Sequence, residues 1–216
     1  MMLAGASRTA KPCTSRPRPR RKTPRSRPAA VPRPVPVGRP PIPLERKVHT
    51  MSHTAEILAV GTELLLGNIV NTNAQTISQS LSALGINVFW HTVVGDNPER
   101  LKEALDIARR RADIIITTGG LGPTYDDLTK QTICETFGQR LVLHPEILED
   151  IRVFYETSLH LPMPENNAQQ AELPENGVIF DNPVGTAPGC AFESGGVHVL
   201  MLPGPPHEMS TMLRRH

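Results

Sequence analysis

From Thr54 onward, short runs of β-type residues alternate with stretches whose apolar positions recur at helical spacing. Ala55 to Val60 (AEILAV) reads as a strand. Asn71 to Leu84 reads as a helix with Ile77, Leu81 and Leu84 on one face, Asn71 or Thr72 as its cap and Gly85 as its stop. Ile86 to Val94 is a second strand. Asn97-Pro98 then opens a helix with a cap and a first-turn proline, and Leu101, Ala104, Leu105 and Ala108 form its buried stripe. Asp113 to Thr118 is a third strand. Pro145 to Leu159 has the pattern of a longer amphipathic helix, and Glu165 to Leu173 that of a short polar one. Two further β-type runs, Gly189 to Glu193 and Val197 to Leu202, lead into the rigid turn Leu202-Pro203-Gly204-Pro205-Pro206 and a final helix starting near His207.

Strands separated by helices of this length pair in parallel with helices on both faces, and such sheets bind ligands beyond the carboxyl ends of their strands. Glu63, Asp96 and the glycine turn after Thr118 each follow a different strand, so the topology can bring all three to one edge.

Composition divides the chain near Met51. Residues 1–50 carry 13 Lys/Arg against the single acid Glu45, whereas the remainder carries 10 Lys/Arg against 20 Asp/Glu, so the whole-chain charge of +2 describes neither part. Half of the 22 prolines also fall in that first stretch, in runs such as Arg16-Pro17-Arg18-Pro19-Arg20, a composition that cannot build a core. Residues 1–50 are therefore expected to be a disordered basic extension ahead of a domain at 51–216. A transit peptide and a nucleic-acid-touching tail are the competing readings of that extension. The acidic remainder argues against nucleic acid as the partner of the folded part. No apolar run reaches the length of a membrane span. Cys13, Cys134 and Cys190 are too few and too scattered for a disulfide framework, which suits a cytoplasmic setting.

The stretch from Thr117 to Thr129 (TTGGLGPTYDDLT) carries the chemistry. Gly119, Gly120 and Gly122 let backbone approach a phosphate closely, the helix that follows adds its N-terminal dipole, and Asp126 and Asp127 offer hard oxygen ligands beside it. Each signal has a plainer meaning alone. Asp126 and Asp127 sit where a helix cap belongs, Glu63 can be a solvated turn acid, and Asp96-Asn97-Pro98 is a good helix entry. The histidines, including His144, His198 and His207, show no paired ligand spacing. Phe89 and Trp90 read as core or interface rather than as a base-stacking platform.

GTELLLGNIVNTN (Gly61 to Asn73), VVGDNPERL (Val93 to Leu101), TTGGLGPTYDDLT, DNPVGTAPG (Asp181 to Gly189) and LPGPPHEM (Leu202 to Met209) together resemble the N-terminal domain of the CinA family, competence/damage-inducible protein A. That domain is related to the molybdopterin-binding domains of MogA, MoaB, MoeA and gephyrin. The resemblance covers nearly all of residues 54–212 and implies an α/β fold, a three-layer α/β/α sandwich with a mixed, mostly parallel sheet. It implies a divalent metal (Mg, Mn or Co) held by Glu63, Asp96 and Asp127. It also implies a ligand bound by Asn71, Thr118, Gly119, Gly120 and Gly122, with Pro203, Gly204 and Pro205 as a second ligand-facing turn. The implied reaction is metal-dependent hydrolysis of ADP-ribose to AMP and ribose 5-phosphate, with Glu63, Asp126 and Asp127 as the catalytic acids and Asp126 as candidate base. A homo-oligomer is implied as well.

Longer family members continue into a C-terminal amidase domain, whose activity does not transfer to these residues. Gln169 stands where many relatives carry a lysine, which would remove a phosphate-pairing charge. A chain stopping inside the final helix is expected to leave apolar surface near Met209 and Met212. Two other functions fit the same resemblance: molybdopterin binding or adenylyl transfer, and a non-enzymatic accessory role in competence or DNA damage.

Overall fold

The computed structural model describes residues 53–124 and 127–216. The expectations for residues 1–50, Cys13, the start at Met51 and Asp126 lie outside the described residues.

The first three strands are β1 (Thr54–Val60), β2 (Asn87–Val94) and β3 (Ile114–Thr118). Two short ones follow, β4 (Leu141–Leu143) and β5 (Glu172–Pro174), then β6 (Val178–Phe180), β7 (Gly189–Ser194) and β8 (Val197–Leu202). The six-stranded sheet runs β2-β1-β3-β8-β7-β6. Its first four strands are parallel, β7 runs antiparallel to β8, and β6, antiparallel to β7, forms the edge in the direction of the first four. β4 and β5 form a separate antiparallel pair.

The helices are α1 (Thr62–Leu65), α2 (Thr72–Ala83), α3 (Pro98–Ala108), α4 (Thr129–Thr136), α5 (Pro145–Phe154) and α6 (Pro206–Arg215). β1 is apolar almost throughout because both of its faces are covered. Leu58 and Val60 pack with Leu101, Leu105 and Ala108 of α3 and Ile133 of α4. Ala55 and Ile57 pack with Ala74, Ile77 and Leu81 of α2 and Met209 and Met212 of α6. The result is the expected α/β/α sandwich with a mixed, mostly parallel sheet. Each buried Leu or Ile contributes about 1.5–3 kcal/mol to holding the layers together.

Local signals placed the helices well where the capping side chain is explicit. Asn71 accepts the Ala74 N–H at 3.0 Å, and Asn97 accepts that of Arg100 at 2.9 Å. Gly85 follows α2 at φ 75°, as a stop residue must. Four expectations change. The helix expected over Pro145 to Leu159 is α-helical only to Phe154, after which Tyr155–Leu159 widens into a π-turn closed by His160 at φ 56°. The polar helix is a 3-10 segment, Glu165–Ala171, and its expected last residues belong to β5. Met209 and Met212 are each 1% exposed, so α6 seats its apolar face against the sheet rather than leaving it bare. Phe89, on the edge strand, is 64% exposed and is not core.

Cys134 and Cys190 are free and buried. Among the described residues no helix is long and apolar enough to cross a membrane.

Candidate functional site

Four parallel strands end at one edge of the sheet, and each delivers a different piece of the site. β1 runs into Gly61 and α1, whose first turn carries Glu63. β2 runs into Gly95 and Asp96, β3 into Gly119 and Gly120, and β8 into Pro203-Gly204-Pro205. A cavity of about 450 Å³ opens between them. Glu63, Asp96 and Asp127 all line it, together with Asn71, Thr118, Gly119, Gly120, Gly204 and Pro205. Gly122 and Pro203 do not. They line an adjoining cavity of about 290 Å³ that shares Gly120, Asp127, Gly204 and Pro205 with the first.

Backbone close to backbone makes this junction. Gly119 has φ 103°, and a Cβ there would collide with the Val60 carbonyl oxygen; Gly120 has φ 67°, and a Cβ there would overlap the Thr129 hydroxyl. No larger residue permits either conformation together with that approach. A Cβ on Gly204 would meet the Gly119 Cα at 3.3 Å, so the two turns lie against each other.

The acids are held individually rather than as a preformed cage. Asp96 accepts the Thr62 N–H at 2.8 Å, and the Thr62 hydroxyl accepts the Asp96 N–H at 3.2 Å, a reciprocal clasp between the loops after β1 and β2. Glu63 folds back over Gly61, where a Cβ would stand 2.5 Å from its Oε1. Asp127 accepts the Thr124 N–H at 3.0 Å and the Thr124 hydroxyl. The capping reading of Asp127 is thereby corrected: Leu128 is the N-cap residue of α4, no side chain bonds into that cap, and Asp127 closes its own turn instead. Among the described residues no three His, Cys, Asp or Glu side chains stand close enough to enclose a metal ion. The chemistry of the set still suits a hard divalent ion that keeps waters and takes phosphate oxygens into its shell, because such ions use one or two carboxylates rather than a full protein cage.

Two assigned ligand residues prove to be committed within the protein. Asn71 uses its side-chain oxygen as the α2 cap. Thr118, 3% exposed, accepts from Asn73 Nδ2 at 2.8 Å and donates to the Pro203 carbonyl at 2.9 Å. Gln169 donates to the Thr124 carbonyl at 3.1 Å, strapping the glycine turn. The Lys130 ammonium of α4 reaches the same segment, donating to the Gln169 carbonyl at 2.8 Å and to that of Gln170 at 3.2 Å, with burial pushing its pKa down. His144, His198 and His207 lie outside both cavities.

Sequence reasoning missed four residues. Asn73 is 8% exposed, and its Nδ2 also donates to the Gly204 carbonyl at 2.7 Å, while its buried Oδ1 has no partner among the described residues. Gln170, Asn182 and Glu208 form or support the smaller cavity. Asn73, Asn182 and Glu208 sit inside the motifs NTN, DNPVGTAPG and LPGPPHEM, so their positions were visible although their partners, far away in the chain, were not. No Lys, Arg or His lines either cavity among the described residues.

Known proteins share the sequence and the fold of this domain. Residues 56–216 match the family model described as "Probable molybdopterin binding domain". A CinA-like protein from Dictyoglomus turgidum is 54% identical over 161 residues, covering 74% of this chain and 39% of the relative. The chain spans 38–39% of the length of the curated relatives it matches. The crystal structure of CinA from Thermoplasma acidophilum is 33% identical with a TM-score of 0.67, over 76% of this chain and 95% of that one. MoaB from Thermus thermophilus, named a molybdopterin biosynthesis enzyme, shares the fold at 22% identity and a TM-score of 0.51, over 74% of this chain and 87% of that one. By the extent of these matches, the chain belongs to the CinA family and carries its molybdopterin-binding-type domain.

Proposed function

We propose that the cleft binds the diphosphate of a nucleotide such as ADP-ribose together with a divalent metal and hydrolyses it to AMP and ribose 5-phosphate. The observation that carries this reading is the pairing of a glycine-walled anion site with three carboxylates and no basic side chain among the described lining residues. Phosphate charge there has to be met by backbone N–H groups, the first turns of α2 and α6, and a cation.

A divalent ion of the Mg, Mn or Co kind would be held by carboxylates among Glu63, Asp96 and Asp127, and would supply charge neutralisation and a more acidic water. The chain's own residues do the rest. Gly119 and Gly120 keep the rim bare so that the diphosphate reaches the backbone. The Thr62–Asp96 and Thr124–Asp127 contacts fix two carboxylates against rotation. The attacking water adds its oxygen to one phosphorus, its proton passes to the carboxylate of Asp126, the candidate base, and the bridging oxygen departs with the other phosphate.

The test is AMP release by the full chain from ADP-ribose with Mg²⁺, Mn²⁺ or Co²⁺, followed by chromatography beside Asp127→Asn. Metal-dependent release that is lost in the variant is the expected result. No release by folded protein overturns the hydrolase reading and moves the assignment to the second one, a pterin phosphate bound in the same cleft, to which the words of the family description point. Co-purification of a pterin would mark that second case.

A further inference from the structure

The glycine turn after β3 has little in its own sequence to hold it in one shape. Gly119, Gly120 and Gly122 accept almost any backbone conformation, and a peptide that flips puts a carbonyl where an anion needs an N–H. The turn is fixed from outside, by the 3-10 segment Glu165–Ala171. Four successive carbonyls of the turn each receive a side-chain amide from that segment. Gln170 Nε2 donates to Leu121 at 3.3 Å, Gln169 Nε2 to Gly122 at 3.4 Å and to Thr124 at 3.1 Å, and Asn166 Nδ2 to Pro123 at 2.9 Å. Lys130, in the first turn of the helix into which the loop leads, donates to the carbonyls of Gln169 at 2.8 Å and Gln170 at 3.2 Å. The segment is thus tied both to the turn and to α4 beyond it.

The donors of the turn are treated differently. The Gly119 N–H bonds to the Leu202 carbonyl at 3.1 Å and that of Thr124 to the Asp127 carboxylate, but those of Gly120, Leu121 and Gly122 have no hydrogen-bond partner among the described residues. With its carbonyls taken and these N–H groups left over, the turn offers an anion donors alone. No Lys, Arg or His lines either cavity among the described residues, so the direction of the backbone dipoles decides whether a phosphate is attracted or repelled. An apolar strap would pack against the turn as well, but would leave those carbonyls free to swing round.

We propose that Asn166, Gln169 and Gln170, anchored by Lys130, are positioning residues that keep the carbonyls of residues 121–124 turned onto the 3-10 segment and so hold the N–H groups of residues 120–122 ready for an anion. This rests on the reading of the turn as a phosphate site and deepens it by naming what orders that site before a ligand arrives. None of the three amides needs to touch the ligand. Gln169 in particular has a use that requires no charge, since both of its contacts are to carbonyl oxygens, which a neutral amide satisfies.

Two measurements on the full chain test it: amide hydrogen exchange over residues 119–124 without ligand, and calorimetry with inorganic phosphate in Mg²⁺. Gln169→Met removes the amide with little change in length and none in charge. It is expected to speed exchange at residues 120–122 in the ligand-free chain and to weaken phosphate binding about tenfold, with the salt dependence unchanged. Asn166 is exposed, so Asn166→Ala is a second variant that leaves the core alone, and its effect should not simply add to that of Gln169→Met, because both act through one turn. Parental exchange and affinity in both variants overturn the clamp. Faster exchange at unchanged affinity would reduce it to a structural strap, and weaker binding without faster exchange would mean that the amides touch the anion themselves; either result overturns the proposal. A parent chain that binds no phosphate overturns it together with the phosphate site. Neither readout involves turnover. Clamp-dependent phosphate binding without AMP release would sink the hydrolase and keep the clamp, and AMP release with both variants at parental phosphate affinity would do the reverse.

Discussion

The side-chain amide of Asn73, in the first turn of α2, stands 2.8 Å from the hydroxyl of Thr118 at the end of β3 and 2.7 Å from the Gly204 carbonyl beyond β8. One nitrogen therefore joins three elements at the ligand edge. Asn73→Ala is expected to cost about 1–3 kcal/mol, because Thr118 and Gly204 lose a buried donor. Urea denaturation reads the loss, and it should be accompanied by weaker binding of ribose 5-phosphate. A variant as stable as the parent would show that the junction is held elsewhere.

Gly120→Ala tests the rim. The added methyl overlaps the Thr129 side chain and the backbone stays at φ 67°, so strain and clash act together. The expected effect is a loss of at least about 1 kcal/mol in stability and of measurable phosphate affinity. Thermal melting and calorimetry on the same sample check both, and retention of wild-type phosphate affinity would exclude close backbone approach at this turn.

Glu56, 0% exposed in β1, takes a two-pronged contact from Arg111 at 2.8 and 2.7 Å and a third hydrogen bond from Thr92 at 2.6 Å. The guanidinium lies 4.6 Å over the Trp90 ring. Arg111→Met should destabilise by about 3 kcal/mol, since it strands a buried carboxylate. Arg111→Lys should recover only part of this, because an ammonium cannot reproduce the fork. Equal stability of the two variants would refute the geometric argument.

Burial pushes the thiols of Cys134 and Cys190 up to about 12, so neither is a thiolate at pH 8. Both should resist iodoacetamide in the native chain and react only once it unfolds. Peptide mass analysis after a short pulse at pH 8, with and without urea, distinguishes the two. Native labelling at Cys190 would mean that β7 opens on the time scale of the pulse.

The helices capped by Asn71 and Asn97 were readable because cap and first turn are neighbours in sequence, and β1 and β3 because their apolar runs are continuous. β4, β5 and β6 have three residues each, too few to show a period. Glu56 was hidden differently. A carboxylate inside AEILAV gives no sign that Arg111, 55 positions later, will cover it. At the site, the positions of Glu63, Asp96, Asp127 and the glycines followed from strand order alone. What their side chains do did not: Asn182 finds Glu208 across 26 residues, and Asn73 finds Gly204 across 131. Such pairings are properties of the assembled sheet edge and leave no local trace.

The contact between Gly119 and Gly204 limits how this cleft can diverge. Where main chain rests on main chain, point mutation has no side chain to enlarge, shorten or recharge, so the middle of the cleft is closed to gradual change. New ligand preferences have to be written on the flanking walls, at positions such as Asn73, Gln170 and Glu208, around a centre that stays the same. Directed evolution of this domain should therefore yield proteins that exchange what is attached to the anion while continuing to hold the anion itself.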